Sequence, residues 1–351
     1  MARIWTRRDV LRLSVAGAGA LAVGPRLARV AFAAPPPLDQ KDTYKVGFSQ
    51  VEENNPWRIA QTQSMNDEAA ALGYELIYTN AAGSEAKQIS DVDSMIAQQV
   101  DLIFLAPRSE TPLAQAVLKA KAAGIPVILL DRNVDNAIAK PNEDYICFIG
   151  SNFVQEGARV AAYLAEYTQG EATIIELQGT TGASPAIDRG KGFADYLAGT
   201  YVGEEGTEGT PVAVPSGGFP NMKIVASQTG DFARDLGRQV FETLYAANPE
   251  ATAVYAHNDE MALGAIAALE AQGKVPGQDV VIVSVDGSRD ALQAIVDGKM
   301  LATCECNPRF GPKAFETMQA YAAGETLPDK IINPDRFFDQ SNAAEFLPEA
   351  Y

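Results

Sequence analysis

The fold is decided by residues 44–78, which read YKVGFSQVEENNPWRIAQTQSMNDEAAALGYELIY. An apolar run from Tyr44 to Ser49 is followed by a helical window from Trp57 to Leu72 and by a second apolar run from Tyr74 to Tyr78. Near-continuous apolar runs separated by a helix are typical of parallel strands in a sheet covered on both faces. The stretch therefore predicts a strand–helix–strand unit of an α/β protein.

The same alternation continues along the chain and predicts two sheets. The remaining helices and strands of the first set are Ser84–Gln99, Asp101–Leu105, Thr111–Ala123 and Pro126–Leu130. The second set begins after the apolar run Tyr145–Ile149, and its strands are Thr173–Leu177, Lys223–Ser227, Ala253–Ala256 and Val280–Val285. A helix at Phe310–Ala323 and an extended segment at Lys330–Phe338 have no sheet of their own. We therefore expect the chain to cross back between the lobes there, so that each lobe is built from discontinuous segments. A chain of 351 residues, 47% of them apolar, is long enough for two doubly wound parallel-sheet lobes.

The first 33 residues predict an export signal. Paired arginines, Arg7 and Arg8, precede a weakly hydrophobic stretch from Leu13 to Gly24, and residues 31–33 (AFA) suit a cleavage site. These features favour twin-arginine export, and the apolar stretch is shorter than the about 20 residues that a membrane helix needs. No cysteine precedes Cys147, so no lipid-modified cysteine is available at the cleavage site. We expect the mature protein to be free in a periplasm.

The charge of the mature chain argues against nucleic acid as a partner. Removing residues 1–33, with their six arginines and one aspartate, leaves 22 of the 28 basic and 44 of the 45 acidic residues, a net charge near −22. Such a protein repels a phosphate backbone. No helix-turn-helix segment precedes the first strand, which argues against a transcriptional repressor.

The residue pattern gives little support for a metal site, a cofactor or catalysis. The one histidine, His257, ends an apolar strand and is interpreted as a hydrogen-bonded core residue, and zinc would need more ligands. Residues 199–221 are rich in glycine, proline and acidic residues and predict a surface loop. Their carboxylates lack the regular spacing of a calcium loop. No nucleophile elbow, phosphate loop or dinucleotide-binding turn follows the first strand. We expect neither a cofactor nor an enzyme.

The three cysteines leave at least one free thiol in an oxidising compartment. Cys304 and Cys306 alternate in a strand-like run and so point to one face, while Cys147 lies in another strand-like run. The sequence alone does not decide whether Cys147 forms a disulfide with one member of the pair.

Candidate binding residues follow the predicted strands of both sets. In open parallel sheets, ligands bind beyond the carboxyl ends of the strands, where loops and helix N-termini converge. The polar and aromatic residues at those ends are Ser49, Gln50, Glu52, Asn55, Trp57, Arg58, Asp131, Arg132, Thr180, Thr181, Ser184, Asp188, Arg189, Asp231, Phe232, Asn258, Asp259 and Asp286.

This combination of residue types suits a sugar. Carboxylates and amides accept hydrogen bonds from hydroxyl groups, arginines donate in a fixed fork, and aromatic rings cover the apolar face of the sugar ring. Trp57 and Phe232, one from each predicted lobe, are candidates to sandwich that ring. The alternative is that Asp131, Asp231 and Asn258 only cap helices. Capping alone would not predict that planar polar groups and aromatics recur at one edge of both sheets.

Several longer motifs carry a family resemblance. In the first set they are residues 47–51 (GFSQV), 57–58 (WR) and 129–132 (LLDR). In the second set they are residues 176–184 (ELQGTTGAS), 186–193 (AIDRGKGF), 227–232 (SQTGDF) and 255–261 (YAHNDEM). Together they resemble the ribose/galactose-type periplasmic binding proteins of ABC transporters, and the second set is most similar to the galactofuranose-binding branch. The resemblance covers residues 44–338.

The resemblance implies which residues line the ligand site. Positions that match the family's site are Trp57, Arg58, Asp131, Arg132, Arg189, Phe232, Asn258 and Asp286. It adds Asn152 at the first crossing between lobes and either Glu305 or Cys306 at the second. The full candidate set is Ser49, Asn55, Trp57, Arg58, Asp131, Arg132, Asn152, Thr181, Ala183, Asp188, Arg189, Phe232, Asn258, Asp286 and Glu305.

The resemblance further implies a type I periplasmic binding protein fold, in which three hinge strands join the lobes. The hinges would lie near residues 149–152, 304–307 and 333–337. The first lobe would comprise residues 41–150 with 308–333, and the second residues 151–307 with 334–351. Cys147 and the other two cysteines would then lie on neighbouring hinge segments, which slightly favours the disulfide.

The implied function is the binding component of an ABC sugar transporter. It would hold a monosaccharide, galactofuranose by resemblance, through hinge closure, and it would act as a monomer. The implied partners are a membrane permease and its ATPase subunits, with no nucleic acid. A receptor for another pentose, hexose or polyol, or a sensor that presents sugar to a signalling receptor, is the alternative.

Overall fold

The computed structural model describes residues 34–203 and 215–351. The predicted signal peptide and the middle of the predicted surface loop at 199–221 lie outside the described residues. Over those two ranges, no helix combines the length and the apolar character needed to cross a membrane.

The first sheet contains strands from two separate parts of the chain. Its strands are β1 (Lys45–Gln50), β2 (Glu75–Asn80), β3 (Leu102–Leu105), β4 (Val127–Leu130), β5 (Phe148–Gly150) and β11 (Lys330–Ile332). Their order is β11-β5-β4-β3-β1-β2, and every neighbouring pair is parallel. We call this sheet and the helices that cover it the first lobe.

The second sheet repeats this arrangement in the order β12-β10-β9-β8-β6-β7. Its strands are β6 (Ala172–Gln178), β7 (Met222–Thr229), β8 (Ala253–Ala256), β9 (Val281–Asp286), β10 (Ala302–Glu305) and β12 (Phe337–Asp339). All pairs are parallel except β10 with β12, which is antiparallel. We call this sheet and its helices the second lobe.

Helices follow most of the strands and cover the two sheets. In chain order they are α1 (Pro56–Leu72), α2 (Glu85–Ala97), α3 (Glu110–Ala122), α4 (Phe153–Tyr167), α5 (Ser184–Ala198), α6 (Arg234–Ala247), α7 (Asp259–Ala271), α8 (Arg289–Val296), α9 (Gly311–Ala322) and α10 (Ala343–Phe346). The predicted α/β class with two doubly wound lobes is confirmed.

The described chain passes between the lobes three times. The first passage joins β5 to α4, the second joins β10 to α9, and the third joins β11 to β12. The predicted extended segment Lys330–Phe338 is therefore two short strands in different sheets. Pro334 lies between them and has no backbone N–H to donate, so it cannot continue a strand ladder.

Two glycines allow α4 and α5 to approach closely in the second lobe. A Cβ atom on Gly157 would lie 2.1 Å from the carbonyl oxygen of Arg189, and one on Gly192 would lie 1.9 Å from that of Val154. Any larger residue would force the helices apart, because a packed interior cannot absorb such overlaps. The contact brings Glu156 of α4 beside Arg189 of α5.

Candidate functional site

A small cavity lies between the carboxyl ends of the two sheets. The cavity is lined by Asn55, Trp57, Arg58, Asp131, Arg132, Pro185, Arg189, Phe232, Asn258, Asp286 and Cys306. Nine of these residues belong to the candidate set predicted from the sequence, and they come from both lobes.

The first-lobe wall is built around the N-terminus of α1. The Asn55 side-chain oxygen accepts a hydrogen bond from the Arg58 backbone N–H at 2.9 Å and so caps the helix. The Arg58 guanidinium donates to Asp131 at 2.6 Å and lies 4.6 Å from the centroid of the Trp57 ring. The Trp57 indole donates to the carbonyl of Cys306 at 2.7 Å, which links this wall to the second hinge passage.

Arg132 is buried in the same wall with one donor unused. Its Nε has no hydrogen-bond partner and lies 3.8 Å from Asp131, while its nearest contact with Glu52 is 3.7 Å. Burial and the neighbouring Arg58 charge lower the pKa of Arg132 to about 9. A buried guanidinium with an unfilled donor is stabilised by an acceptor oxygen of a ligand.

Arg189 organises the second-lobe wall. Its Nε donates to Glu156 at 2.7 Å, one terminal nitrogen donates to the carbonyl of His257 at 2.6 Å, and the other lies 3.3 Å from Asp286. Although burial opposes its charge, Glu156 and Asp286 hold the pKa of Arg189 well above its ordinary value. Burial conversely raises the pKa of Asp286, against the opposing effect of Arg189.

Phe232 supplies the aromatic surface of the second lobe. The guanidinium carbons of Arg132 and Arg189 lie 5.5 Å and 5.9 Å from its ring centroid. The Asn258 amide donates to the carbonyl of Phe232 at 3.1 Å, and its oxygen caps α7 by accepting from the N–H of Met261. The capping interpretation therefore applies to Asn258, but the same residue also lines the cavity.

Three of the lining residues have unusual backbone conformations. The φ angles of Asp131, Phe232 and Asp286 are +63°, +58° and +135°. Side chains with a Cβ atom rarely adopt positive φ, and each such residue costs on the order of 1–3 kcal/mol unless its surroundings hold it. The strain occurs where the polar and aromatic groups converge, which is typical of a binding site.

The other six candidate residues lie away from this cavity. Ser49 is buried in the first lobe, and Ala183 precedes α5. Thr181 lines a separate groove of the second lobe, while Asn152 and Asp188 line a separate cavity next to the hinge. Glu305 forms a two-pronged ion pair with Arg336, at 2.7 Å and 2.8 Å.

Two lining residues, Cys306 and Pro185, do not belong to the candidate set. Cys306 was the alternative to Glu305, and the structure places Cys306, not Glu305, at the cavity. Its Sγ lies 3.4 Å from the Ser151 hydroxyl. Pro185 is the second residue of α5, after the strand-end candidate Ser184. Its apolar side chain carries no polar signal that strand-end reasoning could detect.

His257 and the three cysteines are buried, and of these four residues only Cys306 lines the cavity. His257 is fully buried, and its Nε2 lies 3.1 Å from Glu176. Cys147, Cys304 and Cys306 are free thiols, and burial raises the pKa of each. Over the described ranges, no three metal-ligating side chains form a cluster.

The two lobes touch each other around the cavity. The Glu110 N–H of the first lobe donates to the carbonyl of Gly182 at 3.0 Å, and the Asn133 N–H donates to the Ser184 hydroxyl at 2.8 Å. Arg108 and Asp231 form an ion pair of 3.5 Å across the same boundary. The structure therefore describes a form in which the cleft is closed.

Known proteins share both the sequence and this architecture. The galactofuranose-binding protein YtfQ of Escherichia coli is 35% identical over 314 residues, which is 88% of this chain and 89% of that protein. The ribose import binding protein RbsB of Bacillus subtilis is 30% identical over 86% of this chain and 90% of its own length. A Mycobacterium smegmatis protein solved in complex with β-D-fucofuranose is 41% identical with a TM-score of 0.77, over 87% of this chain and 94% of that one.

A family model described as the periplasmic binding protein domain matches residues 46–326. The match includes both sheets up to β10, the first two hinge passages and all eleven residues that line the cavity. The chain belongs to the periplasmic binding protein family.

Proposed function

We propose that this protein binds galactofuranose in the cavity between its lobes and delivers it to an ABC transporter. The observation that carries the proposal is the cavity itself, which both lobes line with buried planar hydrogen-bonding groups and with the rings of Trp57 and Phe232. Members of this family are solute-binding proteins, so the protein is not an enzyme. No bond of the sugar is made or broken.

The polar groups of the cavity match the chemistry of a sugar ring. Arg58, Arg132 and Arg189 supply donors in fixed planes, while Asp131 and Asp286 supply acceptors. The unfilled Nε of Arg132 would donate to a hydroxyl or ring oxygen. A sugar that lacked the matching oxygen would leave this buried group unpaired, at a cost of about 1–3 kcal/mol. Stereochemical selectivity follows from that penalty.

A five-membered ring is favoured over a six-membered one by two of the similar proteins. One is named for galactofuranose, and the other was solved in complex with β-D-fucofuranose. The rival within the same class is ribose or another pentose, because a ribose import binding protein is also similar.

Ligand binding is coupled to hinge closure in this proposal. The sugar contacts groups from both lobes, so it binds the closed form better than the open one and shifts the population toward it. The lobes would comprise residues 41–150 with 308–333 and residues 151–307 with 334–351. The hydrogen bonds from Glu110 to Gly182 and from Asn133 to Ser184 would break on opening.

The proposed setting follows from the N-terminal sequence and the family. The protein is extracytoplasmic, as periplasmic binding proteins are, and Arg7 and Arg8 support export by the twin-arginine route. A permease with its ATPase subunits would recognise the closed surface of a monomer. A sensor role would use that same surface.

The ring form of the bound sugar can be tested by calorimetry with methyl β-D-galactofuranoside and methyl β-D-galactopyranoside, whose rings cannot interconvert. We expect heat of binding with the furanoside alone. Free galactose should show a higher apparent dissociation constant, because only the fraction in the furanose form can bind. Equal affinity for both glycosides, or binding of ribose alone, would contradict the proposed ligand.

The role of Arg132 can be tested with Arg132→Ala. Removing a buried donor group should weaken furanoside binding at least about 100-fold, since hydrogen bonds to charged groups contribute about 1.5–3 kcal/mol each. Arg238→Ala is the matched control, because Arg238 forms an exposed ion pair with Glu242 on α6. Affinity within twofold of wild type in Arg132→Ala would show that the ligand lies elsewhere.

Glu305→Gln and Cys306→Phe distinguish the two neighbouring hinge residues. The phenyl ring would fill space in the cavity that Cys306 lines, so furanoside binding should be lost. Glu305 lies outside the cavity, so its substitution should leave the dissociation constant within about threefold of wild type. It should lower the thermal midpoint, because the buried Glu305 loses its ion pair with the partly exposed Arg336. The reverse pattern would place Glu305 against the sugar.

A further inference from the structure

We propose that Gly179, Thr229 and His257 position the Phe232 ring as a preformed wall of the sugar site. The inference rests on the proposed function, since it concerns the same cavity. None of the three residues lines that cavity. They act through contacts behind Phe232.

Phe232 needs such support because its turn is strained. Asp231 and Phe232 are consecutive residues with φ angles of +53° and +58°. Left-handed conformations cost roughly 1–2 kcal/mol for residues with a Cβ atom, so two in succession persist only where their surroundings fix them. The Asn258 amide holds the Phe232 carbonyl from one side, at 3.1 Å.

Gly179 packs against the tip of the Phe232 ring. A Cβ atom at this position would lie 2.0 Å from Cζ and 2.2 Å from Cε1 of Phe232. The tip of the ring therefore occupies the space that any other residue would need for its side chain. Phe232 lines the cavity, so a ring displaced by such a side chain would shift into the space of the ligand.

The Thr229 hydroxyl ties Gly179 to the strained turn. It donates to the Gly179 carbonyl at 2.7 Å and accepts from the Asp231 N–H at 3.2 Å. The loops after β6 and β7 are thus joined through one oxygen atom. Movement of the turn would break two hydrogen bonds at once.

His257 holds the other side of Gly179. Its Nδ1 accepts from the Gly179 N–H at 3.4 Å, so the ring proton lies on Nε2, which donates to Glu176 at 3.1 Å. The His257 carbonyl accepts from Arg189 at 2.6 Å. One residue therefore connects the support of Phe232 to the central arginine of the second lobe.

These contacts hold the aromatic wall through groups that do not line the cavity. A side chain whose orientation is fixed beforehand loses little conformational entropy on binding, and this raises affinity. Gly179, Thr229 and His257 are accordingly positioning residues, and the buried His257–Glu176 pair serves this purpose.

The test uses two substitutions with matched controls and the mature protein. Thr229→Val removes the hydroxyl and should weaken binding of methyl β-D-galactofuranoside about tenfold, because two hydrogen bonds are lost, whereas Thr229→Ser should bind within about twofold of wild type. Gly179→Ala should weaken binding by at least about tenfold, since the ring must shift. Gly203→Ala is its control, because the nearest atom to a Cβ there is 3.7 Å away.

A thermal-denaturation cycle without sugar separates this inference from the proposed function. Gly179→Ala should lower the melting temperature, and adding Phe232→Leu should restore part of it without restoring affinity. If wild-type protein bound neither the furanoside nor ribose, the proposed function would fail, but this coupling would still be expected. The inference would be overturned if the changes in melting temperature caused by Gly179→Ala and Phe232→Leu were additive in the double variant, and if Gly179→Ala and Thr229→Val bound the furanoside with wild-type affinity.

Discussion

Burial of the Arg189 guanidinium is the constraint on which the second half of the site depends. A buried charge costs several kcal/mol unless oxygen atoms surround it, and here Glu156, Asp286 and the His257 carbonyl do so. These partners belong to α4, β9 and the end of β8, so one side chain joins three elements. The approach of α4 to α5 at Gly157 and Gly192 makes the first of these contacts possible.

In the first lobe, the buried arginines are less completely paired with oxygen atoms. Arg58 has a carboxylate partner at 2.6 Å, but Arg132 has none nearer than 3.7 Å and retains an unfilled donor. Because these carboxylates do not offset burial and the charge of Arg58, the pKa of Arg132 is lowered. The two walls thus differ in their buried arginines: each nitrogen of Arg189 has an oxygen partner, whereas the Nε of Arg132 has none, and a sugar between the lobes would supply the missing acceptor. This asymmetry gives ligand-driven closure a physical basis.

The sequence predicted much of this arrangement because parallel strands place their carboxyl ends at one edge. Asp131, Arg132 and Asp286 follow buried strands directly, and Asn55 and Asn258 begin helices at the same edge, so their convergence follows from topology. Glu156 could not be found in this way, because it lies within a helix and its role depends on two glycines in different helices. Asp188 precedes Arg189 by one residue, which on a helix turns its side chain toward a different cavity.

The hinge shows the same limit. Glu305 and Cys306 are neighbours at the end of β10, where successive side chains face opposite ways, and the sequence did not reveal which one faces the cleft. The answer depends on Arg336, thirty-one residues later, which pairs with Glu305 outside the cavity. Long-range ion pairs of this kind leave no local pattern.

The central claim is that a furanose draws the two lobes together, and small-angle X-ray scattering of the mature protein tests it most directly. We expect a smaller radius of gyration in saturating methyl β-D-galactofuranoside than without it, and no such change for Arg132→Ala. Superimposable scattering curves with and without sugar, under conditions where calorimetry shows saturation, would contradict the account.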